Sequence, residues 1–204
     1  MRSTQCCAGS SSSVAEIVVE TARLRLREWD AEDEVRFYEV MNRAEVMRHL
    51  GGTQAPEEWR AAYQRVIGLQ RDYGHTFWII EERSGGDILG FCGIKRANAP
   101  GAGDLTGKHE IGWRLRPEAW GQGIAKEAAI ASMDLAFDRF DAPLVIATTV
   151  PANAASQGLM NRLGMTRREE LDYVDTRFGP ELNPSIVFSM ERADWPAARS
   201  AALA

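Results

Sequence analysis

The chain has 204 residues, 45% of them hydrophobic and 26% charged, enough to bury one substantial core without demanding a second domain. A formal charge of −5 argues against a protein that coats nucleic acid, because neutralising phosphates needs a dense Lys/Arg surface. Cys6, Cys7 and Cys92 show no C-x-x-C spacing, and His49, His75 and His109 show no ligand spacing on a common element, so neither a disulfide framework nor a metal site is expected.

Residues 1–15 read as a disordered, Ser-rich leader without the apolar segment of a secretory signal, and no run approaches the length of a membrane span. A soluble, cytoplasmic protein follows as the expectation, with one domain over residues 16–195 and an alanine-rich tail of uncertain structure at 196–204. Leu24 and Leu26 alternate with Arg23, Arg25 and Arg27, the period of a half-exposed strand. Asp30 then caps a helix predicted over residues 31–46, with Asp33 and Glu34 in its first turn and Gly51-Gly52 as its breaker. A second helix begins near Pro56 and ends at Gly74, burying Trp59, Ala62, Tyr63, Val66 and Leu69.

Segments 76–81 and 88–94, rich in β-formers, flank Ser84-Gly85-Gly86-Asp87 and read as an antiparallel hairpin; a Gly-rich loop then leads to a strand over 109–115. Ile124, Ala128, Ala131 and Leu135 recur at helical spacing, so a long, largely buried helix follows. A β-branched strand over 143–150 comes next, then a short helix capped by Asn153 and stopped by Gly164. Closing strands are predicted over 167–173 and 185–190. Hairpins mixed with crossovers imply an α/β (α+β) fold with a mixed sheet and helices on both faces.

Two glycines in Trp120-Gly121-Gln122-Gly123-Ile124-Ala125 separate the 109–115 strand from the long helix. Without Cβ atoms such a turn aims successive N–H groups into one concavity, and the helix start adds its positive end, which together suit an anion. An unliganded strand-to-helix turn is the alternative reading of a bare Gly-x-Gly. The dinucleotide-binding fingerprint fails because Lys126 stands where a third glycine is needed, and no Gly-Lys-Ser/Thr of a Walker A loop is present.

Taken with the element order, Glu110-Ile111-Gly112-Trp113-Arg114-Leu115, the turn 120–125, and Asn153-Ala154-Ala155-Ser156 leading to Leu163-Gly164-Met165 resemble the GCN5-related N-acetyltransferase (GNAT) family. The resemblance is closest to its RimJ/RimL-like branch, the ribosomal-protein alanine acetyltransferases, and spans residues 21–195. It implies a mostly antiparallel sheet of about seven strands, splayed at the centre, with acetyl-CoA as co-substrate and no metal. The pyrophosphate would meet the main chain of Gly121, Gln122, Gly123, Ile124, Ala125 and Lys126, and the pantetheine arm the main chain of Trp113, Arg114 and Leu115 and the side chain of Asn153. Trp120 departs from the family pattern, which places Gln or Arg there and so loses one polar contact here.

Acetyl transfer to an amine needs a neutral nitrogen, a polarised carbonyl and a stabilised leaving thiolate. The resemblance makes Glu110 the candidate base, with a structural ion pair as the competing role, and Ser156 the candidate donor to the departing sulfur, with a first-turn backbone contact as the competing role. His109 is a second candidate base, although strand alternation sends it and Glu110 to opposite faces; Tyr173 is a second candidate acid. Gly112 suits a bulge freeing an N–H for the thioester carbonyl, or is an ordinary strand glycine. The acceptor expected first is a protein or peptide N-terminal α-amine; small amines such as antibiotics or polyamines come second, and a non-catalytic acyl-CoA sensor is the alternative class. Neither nucleic acid nor membrane is an expected partner, and the state is a monomer or homodimer.

Overall fold

The computed structural model describes residues 15–204, so nearly all of the predicted leader lies outside the described residues. Eight strands form one sheet in the order β1-β2-β3-β4-β5-β6-β8-β7, comprising β1 (Ile17–Glu20), β2 (Leu24–Arg27), β3 (Phe77–Glu82), β4 (Ile88–Arg96), β5 (His109–Leu115), β6 (Leu144–Thr149), β7 (Thr166–Arg167) and β8 (Ile186–Glu191). Every neighbouring pair is antiparallel except β5 and β6, which run parallel and pair only at His109↔Val145 and Glu110↔Ile146. Beyond Glu110 the two strands diverge, and that splay opens the centre of the sheet.

The helices are α1 (Asp33–Met41), α2 (Ala44–Met47), α3 (Pro56–Tyr73), α4 (Ile124–Asp138), α5 (Ala154–Arg162) and α6 (Trp195–Leu203). One face of the sheet, carrying Trp78, Ile80, Cys92, Ile94 and Ile111, packs on α4, α5 and α6. The opposite face, carrying Ile79 and Phe91, packs on Phe37, Met47 and Trp59 from α1, α2 and α3. This two-sided burial explains the alternation along β3 and β4, where adjacent residues serve different cores. None of the described helices is long and apolar enough to cross a membrane.

Three expectations change in detail. The helix predicted over 31–46 breaks after Met41, because the Asn42 side chain donates to the Gln54 carbonyl and accepts from the Gln54 N–H, both at 2.9 Å, and Arg43 becomes extended. The strand predicted over 167–173 is reduced to β7, a 3₁₀ turn at Glu169–Leu171 and a single bridge, Tyr173↔Ser185. There the Asp172 carboxylate takes the place of a strand, accepting from the Val187 N–H at 3.0 Å and pairing with Arg167. The alanine-rich tail forms α6, fixed where Trp195 Nε1–H (2.9 Å) and Arg199 Nε–H (2.8 Å) donate to Asp134 on α4.

Candidate functional site

Gly121 and Gly123 adopt φ of 73° and 75°, the left-handed region that disfavours a Cβ, and the turn they form leads straight into α4. It is tied down from both sides. Trp120 Nε1–H donates to the Leu115 carbonyl at 2.9 Å, and Arg23 Nη1–H donates to the Gln122 carbonyl at 2.9 Å. Glu127, in the first turn of α4, accepts from Thr21 Oγ1 at 2.5 Å, the Arg23 N–H at 3.0 Å and Arg23 Nε at 2.7 Å. Burial acts to raise the Glu127 pKa, but these hydrogen bonds outweigh it and hold the carboxyl below its ordinary range.

The main-chain N–H groups of residues 121–126 donate to no acceptor among the described residues, and the first amide to close a helical bond is that of Glu127, to the Gly123 carbonyl at 3.0 Å. A Cβ on Gly121 would meet nothing within 4 Å, and one on Gly123 only Arg23 Nη2 at 3.6 Å, so there is open space beside both glycines. Consecutive unpaired amides at a helix start form an anion cradle. The Lys126 side chain is engaged elsewhere, donating to the Ala202 carbonyl at 2.7 Å.

Along β5 the antiparallel ladder turns alternate peptide groups to β4 and to the splay. The Arg116 N–H donates to the Leu89 carbonyl, so Gly112 and Arg114 bond β4 while Ile111, Trp113 and Leu115 face the open edge toward β6. Trp113 and Leu115 are thus on the side named by the resemblance, although the Leu115 carbonyl already accepts from Trp120; the Arg114 peptide is not on that side. Of the two readings of Gly112 the ordinary strand glycine holds and the bulge does not: it pairs in register with Gly93, and a Cβ there would stand 2.6 Å from the Phe77 ring. Close packing of that ring explains the glycine.

Glu110 occupies the point where the splay begins and is largely buried. Lys95, its partner across the β4–β5 ladder, forms an ion pair with it, and Thr148 Oγ1 donates to its other oxygen at 3.1 Å. Tyr173 lies close by; burial, and then the negative charge of Glu110, push its phenol above the ordinary value, keeping it protonated. His109 points the other way, buried 5.5 Å from the His75 ring, and burial with the nearby Arg96 charge pushes it down to about 4. Asn153 Oδ1 accepts from the Ser156 N–H at 3.2 Å as the cap of α5, beyond the end of β6, and the half-buried Ser156 hydroxyl bonds no other described residue. Sequence reasoning missed Lys95 and Thr148; the hairpin register, once aligned, would have set Lys95 opposite Glu110.

A family model described as an acetyltransferase (GNAT) domain matches residues 23–166. The chain is similar to the uncharacterized protein YkkB of Bacillus subtilis, 30% identical over 146 residues covering 71% of this chain and 83% of that one. Among solved structures it is similar to an acetyltransferase from Agrobacterium tumefaciens, with TM-score 0.69 at 22% identity over 94% and 99% of the two chains. It is also similar to a ribosomal-protein-S5-alanine acetyltransferase from Vibrio fischeri, with TM-score 0.65 at 18% identity over 90% and 99%. The family match covers more than half of the chain, and the cradle and splay agree with it: the chain belongs to the GNAT family of N-acetyltransferases, which use acetyl-CoA.

Proposed function

We propose that this protein acetylates the α-amine of a peptide or protein N-terminus, using acetyl-CoA held at the turn 121–126 and along the open edge of β5. The observation that carries the reading is the run of unpaired main-chain amides ahead of α4, next to strand edge that β6 leaves unpaired. Bound there, acetyl-CoA supplies an activated acetyl thioester. The acceptor nitrogen bonds to the acetyl carbon, the carbon–sulfur bond breaks, one proton leaves the nitrogen and the CoA thiolate gains one.

Glu110 is assigned the nitrogen's proton, directly or through water, and the Ser156 hydroxyl the hydrogen bond to the sulfur, with Tyr173 as an alternative donor. An α-amine of pKa about 7.7–8.0 is roughly a tenth neutral at pH 7, whereas a lysine at about 10.4 is neutral about once in a few thousand molecules. An α-amine therefore needs much less help from a base than a lysine does. The S5-alanine enzyme named among the similar folds agrees with this acceptor class and with the RimJ/RimL-like branch. We assign the protein to the cytoplasm, as a monomer or homodimer.

The test is a panel of amine acceptors with acetyl-CoA, read by mass: N-terminal peptides, peptides with a blocked N-terminus and an internal lysine, polyamines and aminoglycosides. Acetylation confined to free N-termini supports the proposal. Modification of lysine or small amines alone overturns the acceptor class, and acetyl-CoA binding without release of CoA favours a sensor.

A further inference from the structure

Arg114 stands apart from the other arginines. Among the described residues, Arg36, Arg48, Arg65, Arg139 and Arg162 also lack a carboxylate within 4.0 Å, but all five are exposed to water. Arg96 at least donates to the Gly107 carbonyl. The side chain of the partly buried Arg114 bonds no oxygen among the described residues: its Nη1–H meets Met47 Sδ at 3.5 Å, and its Nε is shielded from water without a partner. Its guanidinium lies 5.1 Å above the Phe91 ring, and burial pushes its pKa down to about 10. Shielding part of a cation from water with no oxyanion beside it is costly, and an arriving anion would relieve that cost.

The surroundings say where that anion would come from. Glu110, Gly112 and Arg114 share one face of β5, the face on the α1–α3 side, away from α4. Beneath them Phe77 and Phe91 stack at 4.9 Å with planes 3° apart, Phe77 against Gly112 and Phe91 as the cross-strand partner of Arg114. The floor is therefore apolar. Glu110 and Lys95 neutralise each other at one end, leaving Arg114 as the uncompensated charge at the other. Alternate residues on a strand face stand about 6.6 Å apart, within the reach of a long side chain. A nitrogen between Glu110 and Gly112 then brings a carboxylate a few atoms away within range of Arg114, whose planar fork binds carboxylates through two hydrogen bonds.

We infer that the Arg114 side chain is the anion-recognising group of the acceptor pocket, and that the preferred amine carries a carboxylate within a few atoms of its nitrogen. This rests on the acetyltransfer reading above. The carboxylate has two possible sources: the α-carboxylate of a free amino acid, or an acidic side chain following the N-terminal residue of a peptide.

Matched pairs separate these sources: alanine against alaninamide, and the amidated dipeptides alanyl-glutamate against alanyl-glutamine, each assayed with wild type, Arg114→Gln and Arg114→Lys. In wild type one pair is expected to favour its carboxylate member by about ten- to hundredfold in kcat/KM, mainly through KM, as a charge-assisted pair provides. Arg114→Gln should bring that ratio close to one, and Arg114→Lys should keep part of it. Equal rates within both wild-type pairs, or a preference that survives Arg114→Gln, overturns the inference. So does loss of acetyl-CoA affinity in Arg114→Gln with the preference intact, because the guanidinium would then serve the nucleotide.

If wild type acetylates none of the four, calorimetric titration of each compound into CoA-saturated protein still decides the matter. Carboxylate-dependent binding that disappears in Arg114→Gln supports the anion site while counting against the acetyltransfer reading. Absence of such binding overturns the site itself.

Discussion

The turn at 121–126 and the cluster around Glu110 lie toward opposite ends of β5 and are built in opposite ways. The turn is local and made of peptide bonds, six consecutive amides shaped by two glycines of positive φ. The cluster is made of side chains from distant stretches, with Lys95 from β4, Glu110 from β5, Thr148 from β6 and Tyr173 from beyond β7. Main-chain donors tolerate nearly any side chain but not a Cβ at the wrong place, whereas the cluster depends on each side chain's identity. Nucleotide binding and acceptor chemistry should therefore fail separately under mutation.

The largest separation is expected from Gly123→Val. A β-branched residue at φ 75° strains the turn and sets methyl groups in the space around the cradle, so acetyl-CoA affinity measured by calorimetry should fall at least about a hundredfold, or about 2.7 kcal/mol. Unchanged affinity would remove the turn from the mechanism. Glu110→Gln is the converse experiment, with kcat toward an N-terminal peptide falling by about a hundredfold while acetyl-CoA affinity holds. A fall in that affinity matching Gly123→Val would show that the two regions are not separable.

Next to Glu110 on the strand, His109 tests the other face. Its folded pKa, about 4, lies below the ordinary 6.5, so the native state binds fewer protons than the unfolded chain between those values. The stability it contributes is present above pH 6.5 and is lost as pH falls through 4, on the order of 3 kcal/mol. Urea unfolding of His109→Gln should show a shallower decline over that window than wild type; identical slopes would refute the assignment. The smallest effect is expected from Asn153→Ala, which removes the cap of α5 and should cost about 1 kcal/mol in chemical denaturation.

Legibility followed locality. Pro56 and Gly74 bound α3 as their backbone preferences dictate, β5 has the predicted limits, and the Asn153 cap is where the helix signal set it. What escaped prediction involves partners far along the chain. Gln54 captures Asn42 and splits a continuous helical pattern; Asp172 substitutes for a strand beside Val187; Phe77 explains a glycine that suggested a bulge. At the site, the turn was readable because its donors are consecutive, while the Lys95–Glu110 pair needed the register of a hairpin joined by a long loop.

Periodicity, caps and glycines in the sequence marked the central elements and the glycine turn, and the resemblance of its motifs marked the family. Tertiary structure decided which charges are compensated: Glu110 by Lys95, Asp172 by Arg167, and Arg114 by no carboxylate among the described residues. The physical reason is range. Backbone preferences act over a few residues, whereas the electrostatic state of a side chain depends on whatever folding brings within a few ångströms of it.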